Sequence, residues 1–289
     1  VGPGGLALAC ALTQMENFEV LILETRSAKQ TSATTGRSHS IGLGRRAREA
    51  LVAIGGQDLW EALTARGMVA GGFTLHLNGF PLGLPAPEGE PVVLVDRGEM
   101  TRALRDFMTG LPCAPGASVT VQHSARVKSV DLVSRHVVVE SSEDGAGHEA
   151  QAEVIPYDLL LGSDGVRSRV RAAMSDQLPS GCFESELRLM PGRWQVLHMD
   201  LPSSFARGGV HALVSDKAPF GIFCIPSVSG SSCNIVSWSA EDPPTALFGA
   251  STPEELEEVL LKYFPKLAAV PREAAQRFLD DMPSKAVVS

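Results

Sequence analysis

Three glycines within the first five residues are the first feature that could do chemistry. Val1-Gly2-Pro3-Gly4-Gly5 runs directly into the small, apolar Leu6-Ala7-Leu8-Ala9. Read as the tail of a G-x-G-x-x-G pattern, Gly2 is the second glycine and Gly5 the third, with Gly4 in the same turn. Gly2 then lets backbone approach a pyrophosphate, and Gly5 lets the following helix pack close to a sheet. The unpaired N–H groups at the helix start attract phosphate charge. Glu24 closes the apolar run Val20-Leu21-Ile22-Leu23, about 20 residues on, where such a motif places a carboxylate for ribose hydroxyls. The plainer alternative is a glycine turn before an ordinary helix, with Glu24 a solvated strand end.

A second corner follows at Asp158-Leu159-Leu160-Leu161-Gly162-Ser163-Asp164-Gly165-Val166-Arg167. It sets a carboxylate and a glycine where an apolar run gives way to a helix, a turn that exposes backbone N–H groups to anions. The alternative is a strand–turn–helix in which Asp164 only caps the helix. No Ser/His/Asp triad can be assembled from the sequence. His76 and His198 stand alone on alternating segments and read as structural or exposed. Trp194, Phe220 and Trp238 read as core, as do Met190 and Met199.

These residues need an α/β frame to position them. The run 20–23 reads as a parallel strand buried on both faces, and 158–161 as another. Helices are expected over 5–14, 45–54, 58–66, 98–108 and from 163 to about 174. Phe73-Thr74-Leu75-His76-Leu77 alternates and meets Asn78-Gly79, the strongest short hairpin signal. Pro81, Pro85, Pro87 and Pro91 mark a loop back to Val92-Val93-Leu94-Val95. Three β runs lie at 118–122, 126–133 and 136–141, and a turn at 143–147 leads to a fourth near 149–155. Beyond residue 180 the texture is β, with strands at 194–201, 210–215, 220–225 and 234–239 in an antiparallel layer. Thr252-Pro253-Glu254-Glu255 then opens a helix, with Thr as N-cap and Pro at the first position. Leu256, Val259, Leu260 and Phe264 form its apolar stripe.

The bulk numbers exclude some classes. The 289 residues carry a net charge of −8, which argues against nucleic acid or an anionic membrane as principal partner. The five cysteines, Cys10, Cys113, Cys182, Cys224 and Cys233, are scattered and form no C-x-x-C pair. They read as free thiols of a reducing, cytoplasmic compartment, and no metal site is expected. Organelle targeting is left open, because the chain starts on Val1 with no Met before it. No apolar run is long enough to span a membrane.

The corner at Asp164-Gly165 resembles the "DG" motif of the p-hydroxybenzoate hydroxylase-like flavoprotein monooxygenases. Leu23-Glu24-Thr25-Arg26 is similar to their acid-x-Arg step, which implies that Glu24 and Arg26 hold the adenosine part of FAD. Val95-Asp96-Arg97-Gly98 is similar to their strand–Arg–helix segment, which implies a place for Arg97 near the ribityl and phosphate region. The helix beginning at Arg45 and followed by Gly55 resembles "RG-x-x-AL-x-x-x-G" of the kynurenine 3-monooxygenases, and Lys262-Tyr263-Phe264-Pro265 their "YFP" helix end.

The resemblance implies an α/β FAD-binding domain of Rossmann-like, glutathione reductase type, at residues 1–66 and 91–178. A β-rich substrate layer with C-terminal helices would fill 67–90 and 179–289. It implies cofactor contacts from Gly2, Gly4, Gly5, Glu24, Arg26, Arg97, Asp164 and Gly165. It also implies NAD(P)H as reductant and hydroxylation of a small aromatic substrate by molecular oxygen through a flavin hydroperoxide. A flavin-dependent epoxidase or reductase of a lipid or isoprenoid on the same fold is the alternative, and a non-catalytic flavin-domain fragment is a third reading. Two departures stand out. A later "GD" motif should follow a strand beginning near Lys285, and the sequence stops at Ser289. The expectation is therefore that the chain binds FAD weakly or not at all and that a version extended at both ends binds it tightly. The kynurenine enzymes hold their substrate carboxylate with an Arg and a Tyr in the hairpin region, positions that align here with Gly72 and Leu82, so kynurenine is not implied as substrate.

Overall fold

The computed structural model describes residues 1–32, 38–85, 91–141, 151–281 and 283–288. The first elements are α1 (Pro3–Leu12), β1 (Glu19–Leu23), α2 (Ala28–Ser32), β2 (Ser40–Leu43), α3 (Arg45–Thr64), β3 (Met68–Val69), β4 (Gly72–Leu77) and β5 (Phe80–Pro85). Next come β6 (Val93–Asp96), α4 (Arg97–Gly110), β7 (Ser118–Gln122), β8 (Ala125–Asp131), β9 (His136–Ser141), β10 (Gln151–Pro156) and α5 (Arg169–Gln177). The last are β11 (Arg188–Asp200), β12 (Gly209–Val214), β13 (Gly221–Pro226), β14 (Ser231–Ser239), α6 (Thr245–Phe248), α7 (Pro253–Tyr263), α8 (Arg272–Asp280) and β15 (Ser284–Val288). The chain divides into unit 1, Val1–Thr34 with Thr101–Arg188, and unit 2, Thr35–Met100 with Leu189–Val288. The turn expected at 143–147 and the loop carrying Pro87 lie outside the described residues.

In unit 1, β1 pairs in parallel with β7 from Glu19↔Ser118 to Leu23↔Gln122. Parallel pairing was the expectation for 20–23, but burial on both faces is corrected: Leu21 is 41% exposed, because β1 has β7 alone as partner among the described residues. Beside this pair, β8, β9 and β10 form an antiparallel meander. Its core of Val130, Val137 and Val139 is closed by Ala173 and Val170 of α5. The alternation in β9, with Val137 and Val139 inside, is the period-2 pattern that buries one face of a sheet. The strand expected at 158–161 does not form. Leu159 and Leu161 are exposed, and no described residue pairs with the stretch. An apolar run becomes a strand only where a neighbour supplies a ladder.

Unit 2 is built on a seven-stranded sheet in the order β15-β11-β14-β13-β12-β4-β5. The β4–β5 hairpin forms as its sequence indicates: Asn78 (φ 51°) and Gly79 (φ 84°) are both left-handed, as a two-residue type I′ turn requires. Pro81 and Pro85 sit inside β5, where a loop was expected. β5 is the edge of the sheet, so the missing N–H groups leave no neighbouring ladder incomplete. From β11 to β5 the neighbours are antiparallel except β12 and β4, which run parallel. One face of the sheet, with Leu197, Leu213, Ile222, Val236 and Trp238, buries against α7 and α8 through Leu256, Leu260, Phe264 and Phe278. α7 starts as its sequence indicates, with the Thr252 hydroxyl accepting from Glu255 N at 3.2 Å. The Glu255 carboxylate accepts from Ser251 N at 2.7 Å. The two helices expected at 45–54 and 58–66 both form within α3, separated by non-helical backbone at Gly55-Gly56, where Gly56 has φ +67°. The run near Lys285 forms β15, an edge strand of this sheet beside β11, and so lies outside the strands of unit 1.

Candidate functional site

The start of α1 is open to an external acceptor. Gly2 is its N-cap in extended conformation, with no side chain bonded to the helix end and no acidic residue in the first turn. Pro3 has no N–H, so the amides of Gly4 and Gly5 are the first-turn donors left without an intrahelical partner. A Cβ at Gly2 would have nothing within 4 Å, so this side of the turn is clear. The other side is tight. A Cβ at Gly4 would lie 3.0 Å from Ser163 Oγ, and one at Gly5 would lie 3.7 Å from Ser163 Cβ. Ser163 immediately precedes Asp164, so the two glycine corners meet in space. The residue that joins them was not singled out as a contact; its only signal was its place inside the second motif.

Glu24 belongs to the same cluster. Its Oε1 accepts from Arg26 N at 2.9 Å and from Arg26 Nε at 3.2 Å, and the carboxylate lies against Val1 at the start of α1. Burial alone would raise the Glu24 carboxyl, but hydrogen bonds, those of Arg26 foremost, outweigh it and bring the pKa down to about 2. The carboxylate is thus ionised, fixed in direction, and 12% exposed beside the start of α1.

The second corner differs in detail from its expectation. α5 begins at Arg169, with Ser168 as N-cap accepting from Arg171 N at 2.9 Å, so the helix starts later than residue 163. Asp164 reaches forward to it: Oδ2 accepts from Arg169 N at 2.6 Å and from Val170 N at 3.4 Å. The capping role weighed for Asp164 is therefore present, with Oδ1 turned away from those bonds. Gly165 has φ +78° and open space where a side chain would stand. Gly162 is packed hard, since a Cβ there would fall 2.8 Å from Val170 Cβ.

Arg97 stands in unit 2, as the first residue of α4, and its N–H donates to His39 O at 3.1 Å. Gly2, Gly4, Gly5, Glu24, Arg26, Asp164 and Gly165 all lie in unit 1. Asp96, just before Arg97, caps α4. Its Oδ1 accepts from Gly98 N at 2.7 Å and Glu99 N at 3.2 Å, and Asp directly before a helix was the available signal. His76 is not alone, since it bonds to the buried His211. Gly72 and Leu82 lie on opposite faces of the hairpin, because Gly72 faces Pro85 while Leu82 faces Leu75. Two such positions cannot grip one carboxylate from the same side. All five cysteines are free, and among the described residues no cluster could hold a metal. No described helix is long and apolar enough to cross a membrane.

The fold, helices and sheets in each of two units, is shared with solved flavin-dependent oxygenases. The tetrameric form of 2-methyl-3-hydroxypyridine-5-carboxylic acid oxygenase superposes with TM-score 0.73 at 16% identity, over 99% of this chain and 68% of that one. PqsL of Pseudomonas aeruginosa, described as "a probable FAD-dependent monooxygenase", gives 0.66 at 18%, over 99% and 70%. In sequence the chain is similar to kynurenine 3-monooxygenase of Christiangramia forsetii, 24% identical over 280 residues. That match covers 92% of this chain and 57% of the relative, so the chain spans just over half the relative's length. The Xanthomonas axonopodis enzyme of the same name is 28% identical over 184 residues, covering 62% of this chain and 37% of that one. No family model matches.

Proposed function

We propose that this chain forms the FAD-holding part and the substrate layer of an FAD- and NAD(P)H-dependent monooxygenase that hydroxylates a small aromatic compound. The observation that carries the reading is the meeting of the two corners at Gly4 and Ser163. A diphosphate suits that place: donors of α1 point outward without a competing side chain, and Gly2 leaves room for close approach. Glu24 is ionised and positioned for ribose hydroxyls, and the half-exposed Arg26 is placed to cover an adenine face. Asp164 fixes its own corner through α5 and keeps Oδ1 for a hydroxyl of the cofactor's sugar-alcohol chain. Arg97 is proposed for the cofactor on the family resemblance alone. Bound FAD, reduced by NAD(P)H, supplies the activation of oxygen that no side chain here can provide.

The substrate layer is the outer face of the seven-stranded sheet. Register places Phe73, Leu75, Leu82, Leu84 and Phe223 on it together, with Phe73 and Phe223 at 6.5 Å between ring centroids. These residues suit an uncharged ring and offer no cation for a carboxylate. A lipid or isoprenoid substrate is the second reading. It is favoured by the same face, where Leu82 is 60% and Leu84 54% exposed. NAD(P)H oxidation in the presence of FAD, run against a panel of phenols, aromatic acids and isoprenoids with isotopically labelled oxygen, tests both. Labelled hydroxyl on an aromatic product supports the first reading, and labelled epoxide the second. NAD(P)H oxidation that no panel member stimulates rejects both.

A further inference from the structure

The β4–β5 hairpin is joined to unit 2 differently from the other strands of its sheet. Strands β11 to β14 bury Leu197, Leu213, Ile222, Val236 and Trp238 against α7 and α8, but among the described residues β4 and β5 give none to that core. β5 is an edge, so β12 alone links the hairpin to the sheet. Beyond the β4–β12 ladder, the turn is held by Asn78 N donating to Val214 O at 2.9 Å and Asp216 N donating to Asn78 Oδ1 at 3.1 Å. The Lys266 ammonium donates to Gly79 O at 3.0 Å. A buried side-chain bond, His76 Nε2 to His211 Nδ1 at 3.0 Å, crosses from β4 to β12. A segment with few buried apolar contacts is among the first to open.

His76 and His211 are 8% and 2% exposed, and Phe205 stacks on both rings at 4.4 and 4.5 Å. His211 Nε2 lies 2.9 Å from Ala206 O, and a carbonyl can only accept, so that nitrogen carries a proton. In neutral rings His211 Nδ1 then accepts from His76 Nε2–H. The fourth nitrogen, His76 Nδ1, is left bare, buried and without a hydrogen-bond partner. A further proton can go only there, whichever ring then bears the charge, because the bond between the rings has room for one hydrogen. It would make a buried cation with an N–H that nothing accepts, which is costly. The charged or titratable groups around His76 are His211 on β12, Asp216 and Lys217 beyond β12, Tyr263 at the end of α7, and Lys266 after it. Burial first, then His211 and Lys266, push the His76 pKa below 6.5.

We infer that the His76–His211 pair is an acid-sensitive latch: a proton taken up by His76 when the hairpin opens prevents β4 from closing on β12, and the hairpin stays open while β11 to β14 remain folded. The sign follows from linkage. His76 in the open hairpin gains its proton below pH 6.5 and the closed ring does not, so the hold is full above 6.5 and weakens as the pH falls below it. The open fraction should rise about tenfold from about pH 7.5 to about 5.5. The latch lies wholly in unit 2 and rests on neither the cofactor nor the substrate reading.

The test is native-state hydrogen exchange of the whole chain, read by mass spectrometry and corrected for the intrinsic effect of pH on exchange. Over that pH range, protection of residues 72–84 should fall about tenfold, while that of residues 221–226 and 231–239 holds. His76→Phe should leave the hairpin's protection independent of pH. Should that variant fail to fold, histidine ¹⁵N spectra of the wild-type chain decide, since His76 Nδ1 must stay mostly unprotonated at about pH 6, where an ordinary histidine is mostly charged. Protection that falls equally across all seven strands or not at all, a pH dependence that survives His76→Phe, or a His76 ring mostly charged at about pH 6 overturns the inference.

Discussion

Replacing Gly162 by alanine tests whether the second corner is held as tightly as its packing implies. The added Cβ would stand 2.8 Å from Val170 Cβ and 3.1 and 3.2 Å from its two methyls, where ordinary contact begins at 3.4 Å. The shortfall is roughly 0.6 Å against an atom that does not move when the side chain rotates, so a rotamer change cannot relieve it. Either α5 or the segment leading to Asp164 must shift. Gly162 does not have the left-handed backbone that would add strain of its own, so the whole effect is steric. Overpacking of this kind costs about 1–3 kcal/mol. The assay is urea unfolding followed by far-ultraviolet circular dichroism. Gly2→Ala, with nothing within 4 Å, is the matched control and should stay within about 0.5 kcal/mol of wild type. A Gly162→Ala chain as stable as that control would refute the packing described for the corner.

The other expectations can be checked in the same preparations. Glu24 has a folded pKa of about 2 against an unfolded value of 4.5, so it contributes stability above pH 4.5 that disappears as the pH falls toward 2. The upper bound is about 3 kcal/mol, reduced by solvent screening because Arg26 is half exposed. Glu24→Gln should therefore flatten the acid limb of a stability–pH curve, and an unchanged limb would contradict the pairing. Cys113 and Cys182 are exposed, whereas burial pushes Cys224 up to about 12 and Cys233 to about 11, and raises Cys10 as well. A thiol reagent at pH 8 should label those two quickly and the other three only after unfolding. Thr252→Ala should cost about 1 kcal/mol by removing the cap of α7, read from the urea midpoint.

Local chemistry makes much of this fold legible in the sequence. Asn78-Gly79 fixes a hairpin because few other residue pairs tolerate two left-handed positions, and Thr252-Pro253 starts a helix because cap and φ agree. What failed depended on partners distant in sequence. Residues 158–161 have the composition of a buried strand, yet strand formation is decided by a neighbour, and none of the described residues supplies one. His76 read as solitary because His211, 135 residues away, is brought to it only by the parallel pairing of β4 with β12. At the candidate site the types and order of Gly2, Gly5, Glu24 and Asp164 were visible. The contact that unites the corners was not, because a serine within a motif gives no sign of which glycine it will touch.

The central claim is that Gly2–Gly5 and Ser163–Gly165 form one diphosphate site. Calorimetric titration with ADP, set beside riboflavin, tests it most directly, since ADP carries the adenosine and diphosphate while riboflavin carries neither. ADP should bind, Gly2→Ala should weaken it at least about tenfold without loss of stability, and riboflavin should not compete. Riboflavin binding as tightly as ADP, or ADP binding unaffected at Gly2, would contradict the account.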